Sequence, residues 1–351
     1  MRPTPEPGEH DSPRTLPPGS ATERLRLRRH PALLVAATAL VTLVVLGSVL
    51  YIGAGNDASD AEGLFDGAKS DAALPWPDEG QAAVLVEGFG ERGDLGAHGP
   101  RRPVPIASVT KVMTAYVILR NHPLDGSETG PSITVDQRAA DESFSGTEST
   151  VEVRRGQELS QRRLLELMLI PSGNNIARLL ARWDAKSHEA FVAKMNRVAD
   201  DLGMDRTTYT EASGAESATT STAADQLKLA RQAMRDEVFR SIVSQPDTAS
   251  AAVSDTLVNT NDLLATPGVI GIKTGSSTPA GGALMWAVTV PDRRGEKHLA
   301  LGVVLHQRTE TSPQEGLNAA FDSSRALVEE VQSQVAATDP ATAAATPSES
   351  R

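Results

Sequence analysis

The segment 106–119, IASVTKVMTAYVIL, restricts the possible folds of this chain more than any other stretch. Its only charged residue is Lys111, and a helix over these residues is apolar nearly all round. A helix with a solvated face would carry polar side chains beside Lys111, but those positions hold Ala115 and Ile118. The pattern therefore predicts a helix inside a core. Because burying a lysine is costly, Lys111 needs a partner or a chemical function.

Ser108 precedes this lysine by three residues, so both side chains lie on neighbouring positions of one helix face and can touch. An isolated S-x-x-K sequence is usually an ordinary surface feature of an amphipathic helix. The apolar surroundings of Lys111 argue against that interpretation here.

The longest uncharged run, 31–55, is about 25 residues long and sufficient to cross a lipid bilayer as a helix. Four arginines precede it within 24–29 and four acidic residues come after it within 57–66, which orients the arginine side toward the cytoplasm. We therefore expect a transmembrane signal anchor at 31–55 and an extracytoplasmic location for the residues after 55. A cleavable signal peptide is the competing interpretation, but its apolar region would be shorter.

Composition shifts divide the rest of the chain. Residues 1–30 are rich in Pro, Arg and Glu and predict a disordered cytoplasmic tail, and 56–76 predict a linker. Residues 334–351 are of low complexity and predict a second disordered tail. The folded, catalytic domain is therefore expected at 77–333.

The composition also excludes classes of function. The net charge of −11, without a basic stripe in the main body, argues against a nucleic-acid partner. The absence of cysteine excludes disulfides and thiolate metal sites. The seven histidines and the carboxylates show no ligand spacing, so neither a metal nor a cofactor is predicted.

Strand-like and helical patterns alternate in blocks along the folded part. The strand-like runs are 81–88, 268–275, 282–290 and 298–306, and the helical patterns fall between 108 and 234. Strands at both ends with helices between them predict an α+β fold, in which an N-terminal strand closes an antiparallel sheet flanked by helices and a helical subdomain.

Two further short motifs accompany the lysine helix. Ser172 and Asn174 belong to LIPSGNNIA, in a break between two helical runs, and Lys273, Thr274 and Gly275 end a strand-like run. Taken alone, the first is an ordinary turn and helix cap, and the second an ordinary strand end.

In this order, S-x-x-K, S-x-N and K-T-G resemble the signatures of serine penicillin-binding proteins and serine β-lactamases. The longer stretches LMLIPSGNNIARLLA, NTNDLLATPGVIGIKTGSS and AGGALMWAV are similar to low-molecular-mass D-alanyl-D-alanine carboxypeptidases. The resemblance covers roughly residues 78–330. It implies the serine β-lactamase/DD-peptidase-like fold.

This resemblance implies a catalytic role for four residues. Ser108 is the expected nucleophile and Lys111 its base, whose pKa must fall by about three units from its reference of about 10.4. Burial lowers that pKa, and so would a nearby Lys273. Ser172 is expected to relay a proton, and Asn174 to hold Lys111 and the substrate.

The remaining site residues are expected to bind substrate. Lys273 and Thr274 would hold its terminal carboxylate, and Gly275 would leave room for it to lie as an added strand. The backbone amides of Ser108 and Ser276 would form the oxyanion hole. Arg308 is a further candidate for binding the terminal carboxylate of the substrate.

Two positions depart from the family pattern. Asn175 replaces an aspartate that is often found there, and Ser276–Ser277 replace a more usual His or Tyr followed by Thr. These departures leave open which substrate group the subsite accepts and how fast the reaction is.

The predicted function is that of a serine-type D-Ala-D-Ala carboxypeptidase that trims peptidoglycan stem peptides, is inhibited by β-lactams and is held at the membrane. A DD-endopeptidase acting on crosslinks would use the same residues. A non-catalytic module that senses peptidoglycan or β-lactams is a further alternative. A β-lactamase is disfavoured because no E-x-x-L-N motif comes after Ser172; Glu211 lies in YTEASG instead.

Overall fold

The computed structural model of the chain describes residues 74–89, 93–252 and 255–338. The tail predicted at 1–30, the membrane span at 31–55 and most of the linker predicted at 56–76 lie outside these ranges. Within them, no helix combines the length and the apolar character needed to cross a membrane.

In the part of the chain that the structure describes, the strands form one five-stranded antiparallel sheet and three two-stranded ladders. The strands are β1 (Gln81–Val86), β2 (Asp94–His98), β3 (Val104–Pro105), β4 (Ser132–Thr134), β5 (Glu158–Ser160), β6 (Thr220–Ser221), β7 (Asp247–Ala249), β8 (Thr256–Val258), β9 (Val269–Ser277), β10 (Gly281–Pro291) and β11 (Lys297–Gln307). The order in the large sheet is β2-β1-β11-β10-β9.

Eight α-helices are present in the described residues. They are α1 (Thr110–Asn121), α2 (Gln137–Glu142), α3 (Gln161–Leu169), α4 (Asn174–Ala185), α5 (His188–Asp201), α6 (Ala223–Ala233), α7 (Glu237–Val243) and α8 (Pro313–Ala337). Short 3-10 turns lie at Ala107–Val109 and Asp262–Ala265.

The large sheet confirms the predicted α+β architecture. The N-terminal β1 pairs antiparallel with the C-terminal β11, and the hairpins β9–β10 and β10–β11 complete the sheet. At its centre Trp286 and Gly302 are paired, and a Cβ atom at Gly302 would lie 2.0 Å from the indole ring. A glycine is therefore required for the buried tryptophan to lie flat on β11. The strand β2 was not predicted.

Each face of the sheet packs against helices. Alternate residues of the central strands, such as Met285 and Val303, join a core with α1, α4 and α6. The opposite set, such as Leu284 and Val304, packs against α8. This alternation follows from the two-residue period of a strand.

The folded part extends beyond the bounds predicted from sequence. Helix α8 continues to Ala337, and Val335 is buried in the core, so the predicted end at residue 333 is too early. Leu74, placed in the predicted linker, is also buried. The low-complexity composition near 334 concealed a last helical turn with an apolar side chain on the core face.

Helix α1 lies in the core, as the apolar pattern predicted. Every residue of Thr110–Leu119 except Tyr116 is buried, and Lys111 is 0% exposed.

Candidate active site

Ser108 lies in the 3-10 turn that leads into α1, where it is half-buried. The residue before it, Ala107, has a φ of 46°, in the left-handed region. The carbonyl of Ala107 packs against Gly214, where a Cβ atom would lie only 1.8 Å from the oxygen. The turn that carries Ser108 is thus held between α1 and the segment 211–215.

The amine of Lys111 contacts three oxygen atoms. Its Nζ lies 2.8 Å from Ser108 Oγ, 2.6 Å from Asn174 Oδ1 and 2.8 Å from the carbonyl oxygen of Ser213. The carbonyl of Ser213 can only accept hydrogen bonds. A neutral amine that donates to the amide and carbonyl oxygens has its lone pair left for the hydroxyl of Ser108, which is the arrangement a general base requires.

A buried carboxylate fixes the loop that supplies the Ser213 carbonyl. Glu211 accepts from the backbone N–H and the hydroxyl of Ser213 at 2.7 and 2.6 Å, and from the N–H groups of Gly214 and Ala215. Because the carboxylate is occupied by its own loop, it stabilises the position of the carbonyl that faces Lys111.

The S-x-N motif spans the break between α3 and α4. Ser172 is buried and has a φ of 67°, and Asn174 is the first residue of α4. The N–H of Asn174 donates to the carbonyl of Ser149 at 2.8 Å, and its Nδ2 donates to Glu148 at 3.0 Å. The motif is thereby tied to the segment 143–151, which the sequence did not point to.

The K-T-G motif lies on β9, at the edge of the sheet. Lys273 is buried, and its Nζ donates to the carbonyl of Thr274 at 3.0 Å. The hydroxyl of Thr274 lies 2.6 Å from that of Thr260. A Cβ atom at Gly275 would lie 2.9 Å from the backbone nitrogen of Ser108, so this glycine allows β9 to approach the nucleophile closely.

The two active-site lysines have strongly lowered pKa values. Burial lowers the pKa of Lys111 well below its ordinary value, and the positive charge of Lys273 lowers it further. Burial lowers the pKa of Lys273 to about 7. The lowered pKa of Lys111 favours its uncharged form, which is the form that a general base requires.

Ser276 and Arg308, the last two predicted site residues, come after the K-T-G motif and at the end of β11. Ser276 comes after Gly275 on β9 and pairs with Gly282 of β10. Gly282 in turn pairs with Gln307, the residue before Arg308. Gln307 is thus two strand spacings, about 10 Å, from Ser276, and Arg308 comes directly after the end of β11. Its side chain is exposed, and its charge helps to lower the pKa of Glu315, which is lowered mainly by hydrogen bonds from Ser312.

The structure gives Asn175 a supporting position. Its Nδ2 donates to the carbonyls of Ala139 and Val151 at 3.0 and 2.8 Å, and its Oδ1 accepts from the N–H of Val151 at 3.0 Å. The side chain is fully buried and stabilises the segment that carries Glu148.

Comparison with known proteins identifies the family. The family model described as D-alanyl-D-alanine carboxypeptidase matches residues 78–306. The chain belongs to this D-alanyl-D-alanine carboxypeptidase family. It is therefore a serine-type hydrolase, in agreement with the resemblance of its three motifs.

Two curated relatives of this chain carry different names. A D-alanyl-D-alanine carboxypeptidase of Streptomyces sp. strain K15 is 32% identical over 56% of this chain and 71% of its own length. A D-alanyl-D-alanine endopeptidase of Pseudomonas aeruginosa is 38% identical over 45% of this chain and 49% of its own length. The match thus spans about half of the second relative.

A solved structure shows the same fold for this carboxypeptidase-family chain. The Streptomyces K15 DD-transpeptidase superposes with a TM-score of 0.62 and 25% identity, covering 74% of this chain and 98% of that one.

Sequence reasoning missed the residues that support Lys111. Ser213 contributes a main-chain atom, which no side-chain pattern reveals. Glu148 lies in a segment without periodicity, and Arg178, which contacts it at 2.8 Å, has the spacing of an ordinary helix residue.

A separate cluster lies at the turn between β10 and β11. Potential ligand atoms of Asp292, Glu296 and His298 lie within 4.8 Å of one another. Asp292 accepts from the N–H groups of Arg294 and Glu296, and its other oxygen lies 3.3 Å from His298 Nε2. These contacts stabilise the turn.

Proposed function

We propose that the protein removes the terminal D-alanine from peptidoglycan stem peptides through an acyl-enzyme on Ser108. The observation that carries this proposal is the 2.8 Å contact between Ser108 Oγ and a fully buried Lys111, whose pKa is lowered by burial and by Lys273. A serine beside a neutral, oriented amine is an activated nucleophile.

Acylation would begin with transfer of the Ser108 hydroxyl proton to Lys111 Nζ. Oγ then bonds to the carbonyl carbon of the peptide bond before the terminal D-alanine, and the negative charge moves to the carbonyl oxygen. The N–H groups of Ser108 and Ser276 are the donors proposed for this oxyanion. Collapse of the intermediate breaks the C–N bond, and the leaving amine takes up a proton through Ser172.

Substrate would bind along β9. This strand is paired only with β10 in the described sheet, so its other edge can add an extended peptide. Lys273 and Thr274 are proposed to bind the terminal carboxylate, with Arg308 proposed as a further cation at that end. Gly275 keeps the strand close to Ser108.

Deacylation would reverse the roles of the same groups. A water molecule gives a proton to Lys111 and attacks the ester carbonyl carbon. The C–O bond to Ser108 then breaks and Lys111 returns the proton to Oγ, which releases the shortened peptide and restores Ser108. Glu211 is unsuited to activate that water, because its carboxylate is occupied by the loop 213–215. This argues against a β-lactamase that would use Glu211 to activate its deacylating water.

The proposal is tested by measuring D-alanine release from a stem pentapeptide by the full chain purified in detergent. Wild type should release one D-alanine for each peptide, and Ser108→Ala should release none. Absence of release by the wild type would reject the carboxypeptidase activity.

Crosslink cleavage is the second candidate, favoured by the similarity to a protein named D-alanyl-D-alanine endopeptidase. A crosslinked peptide dimer in the same assay separates the two activities. Consumption of the dimer with no D-alanine release from the monomer would assign the endopeptidase activity instead. The contact between Lys111 and Ser108 argues against a non-catalytic sensing module.

We also propose that residues 31–55 anchor the catalytic domain on the outer side of the cytoplasmic membrane. The uncharged run and the arginines before it support this arrangement. The chain should remain in the membrane fraction after alkaline carbonate extraction, with its N-terminal residues intact. Release into the soluble fraction with a new N-terminus would reject the anchor.

A further inference from the structure

Two acceptors determine where the lone pair of a neutral Lys111 points. The amine has two N–H groups and three neighbouring oxygens: those of Ser108, Asn174 and Ser213. Ser213 offers a carbonyl, which can only accept. Asn174 is different, because its amide presents either an oxygen or an NH₂ group. The direction of the lone pair therefore depends on which end of Asn174 faces Lys111.

Glu148 determines the orientation of that amide. Its Oε2 lies 3.0 Å from Asn174 Nδ2, and an ionised carboxylate only accepts hydrogen bonds. If the amide were reversed, its oxygen would face the carboxylate, and its NH₂ group would face Lys111. The lone pair of Lys111 would then accept from Asn174 instead of from Ser108. With Glu148 in place, the observed orientation is the one that satisfies every group.

The carboxylate is itself held by an arginine. Nη2 of Arg178 donates to the same Glu148 oxygen at 2.8 Å, and Nη1 donates to Glu142 at 3.3 Å. Arg178 lies one helical turn after Asn174 on α4, so both reach Glu148 from the same face. Burial opposes ionisation of Glu148, but hydrogen bonds from Asn174 and Arg178 and the charge of Arg178 lower its pKa overall.

Backbone hydrogen bonds also fix the position of the segment that carries Glu148. The N–H of Asn174 donates to the carbonyl of Ser149, and Asn175 holds Val151 from the other side. The segment 148–151 is thus fixed against the start of α4 at three points.

We propose that Glu148 is a positioning residue for catalysis: it fixes the Asn174 amide so that the lone pair of Lys111 is directed at Ser108. This inference rests on the proposed function, since it concerns the same nucleophile and base. Glu148 acts through Asn174 and is not required to touch the substrate.

The charge of Glu148 provides a signature that a purely structural role lacks. Burial and the charge of Lys273 lower the pKa of Lys111 most, Glu211 raises it, and the two groups at this site add opposite contributions: Arg178 lowers it and Glu148 raises it. In Glu148→Gln the negative charge that raises the pKa of Lys111 is removed, so this pKa falls further. The ascending limb of the acylation rate should therefore move to lower pH, even as the maximal rate falls because the amide is free to reverse.

The test measures the rate of benzylpenicillin adduct formation between pH 5 and 9 by intact-protein mass spectrometry on the full chain. Glu148→Gln should acylate about 10 to 100-fold more slowly at the plateau, the range expected for a misdirected base, with its ascending limb at lower pH. Glu142→Gln is the matched control, because it removes the other carboxylate on Arg178. It should stay within about twofold of wild type.

A second variant separates orientation from packing. Glu148→Asp is shorter but still presents a carboxylate, whereas Gln has the size of Glu but carries an NH₂ group. If Glu148 orients Asn174, Asp should acylate faster than Gln; if it only fills space, Gln should acylate faster than Asp. This ranking remains informative where either variant unfolds at a lower temperature.

Three results would overturn the proposal. Glu148→Gln could acylate as fast as wild type, or Glu148→Gln could acylate faster than Glu148→Asp. Alternatively, the variant could form the adduct normally and differ only in the rate at which the adduct is hydrolysed. The last would mean that Glu148 acts on the deacylating water. A wild-type chain without any adduct would instead reject the proposed function itself, so the two failures are distinguishable.

Discussion

The carbonyl oxygen of Ser213 accepts a hydrogen bond from Lys111 Nζ at 2.8 Å, although the two residues are 102 positions apart in the chain. The acceptor is a main-chain atom, so its position depends on the shape of the loop rather than on the side chain at 213. Glu211 provides that shape through hydrogen bonds to the loop 213–215. The orientation of the base is therefore a property of the loop as much as of α1.

The pH dependence of peptide cleavage should track the two lysines. The rate should rise with pH as Lys111 loses its proton, and kcat/KM should fall above about pH 7 as Lys273 loses the charge proposed to bind the carboxylate. A pH profile of kcat/KM on a pentapeptide measures both limbs.

Lys273→Arg is the control for this profile, because an arginine remains charged throughout the range. Its descending limb should disappear below about pH 9, whatever the loss in absolute rate. If the descending limb of Lys273→Arg were the same as that of wild type, it would have to arise from the titration of another group.

Stability should depend on pH through the same buried lysine. The pKa of Lys273 is about 7 in the folded protein and about 10.4 in an unfolded chain, so between these values only the unfolded state binds the proton. The free energy of unfolding should therefore increase by about 1.4 kcal/mol per pH unit in this window from Lys273 alone. Below about pH 7 both states bind the proton, so the stability gained from Lys273 at higher pH is absent.

Urea unfolding of wild type and Lys273→Met at pH 7 and pH 9 isolates this contribution. The stability of wild type relative to the variant should rise with pH. A difference that stays constant between the two pH values would contradict the lowered pKa.

Gly275→Ala should impair acylation by moving β9 away from the nucleophile. The new Cβ atom would lie 2.9 Å from Ser108 N and 3.1 Å from Ile106 O, both backbone atoms that cannot easily yield. A shift of this kind costs about 100-fold in rate. Gly146→Ala, with nothing within 4 Å of its Cβ, is the control for benzylpenicillin labelling and should acylate normally.

Asn175→Asp should destabilise the protein by about 1 to 3 kcal/mol, the cost of unsatisfied buried groups. The new carboxylate oxygen would face the carbonyls of Ala139 and Val151, which now accept from Nδ2. Urea denaturation measures the change, and Asn318→Asp, at an exposed position of α8, should be nearly neutral. Equal stability of Asn175→Asp and wild type would show that the segment rearranges.

Much of the fold is specified by local sequence patterns. The strands β1, β9, β10 and β11 are apolar runs bounded by turns, and α1 is indicated by its uncharged surface. Tertiary packing reinforces these preferences, so local reasoning succeeds. The edge strand β2 could not be predicted in this way, because its residues are half-exposed or exposed and do not alternate between buried and exposed positions.

The candidate site was only partly predictable for a related reason. Ser108 and Lys111 are close because a helix turn places them so, which sequence spacing specifies. Glu148 and Ser213 reach Lys111 or its partner through loops whose conformations depend on contacts distant in sequence. Such contacts have no local period, so no spacing rule finds them.

Ser108 is proposed to be a nucleophile that Lys111 activates. Intact-protein mass spectrometry of the full chain after incubation with benzylpenicillin, beside Ser108→Ala, tests it most directly. We expect one penicilloyl adduct on the wild type, mapped to the peptide containing Ser108, and none on the variant. An unmodified wild type, or an adduct that persists in Ser108→Ala, would contradict it.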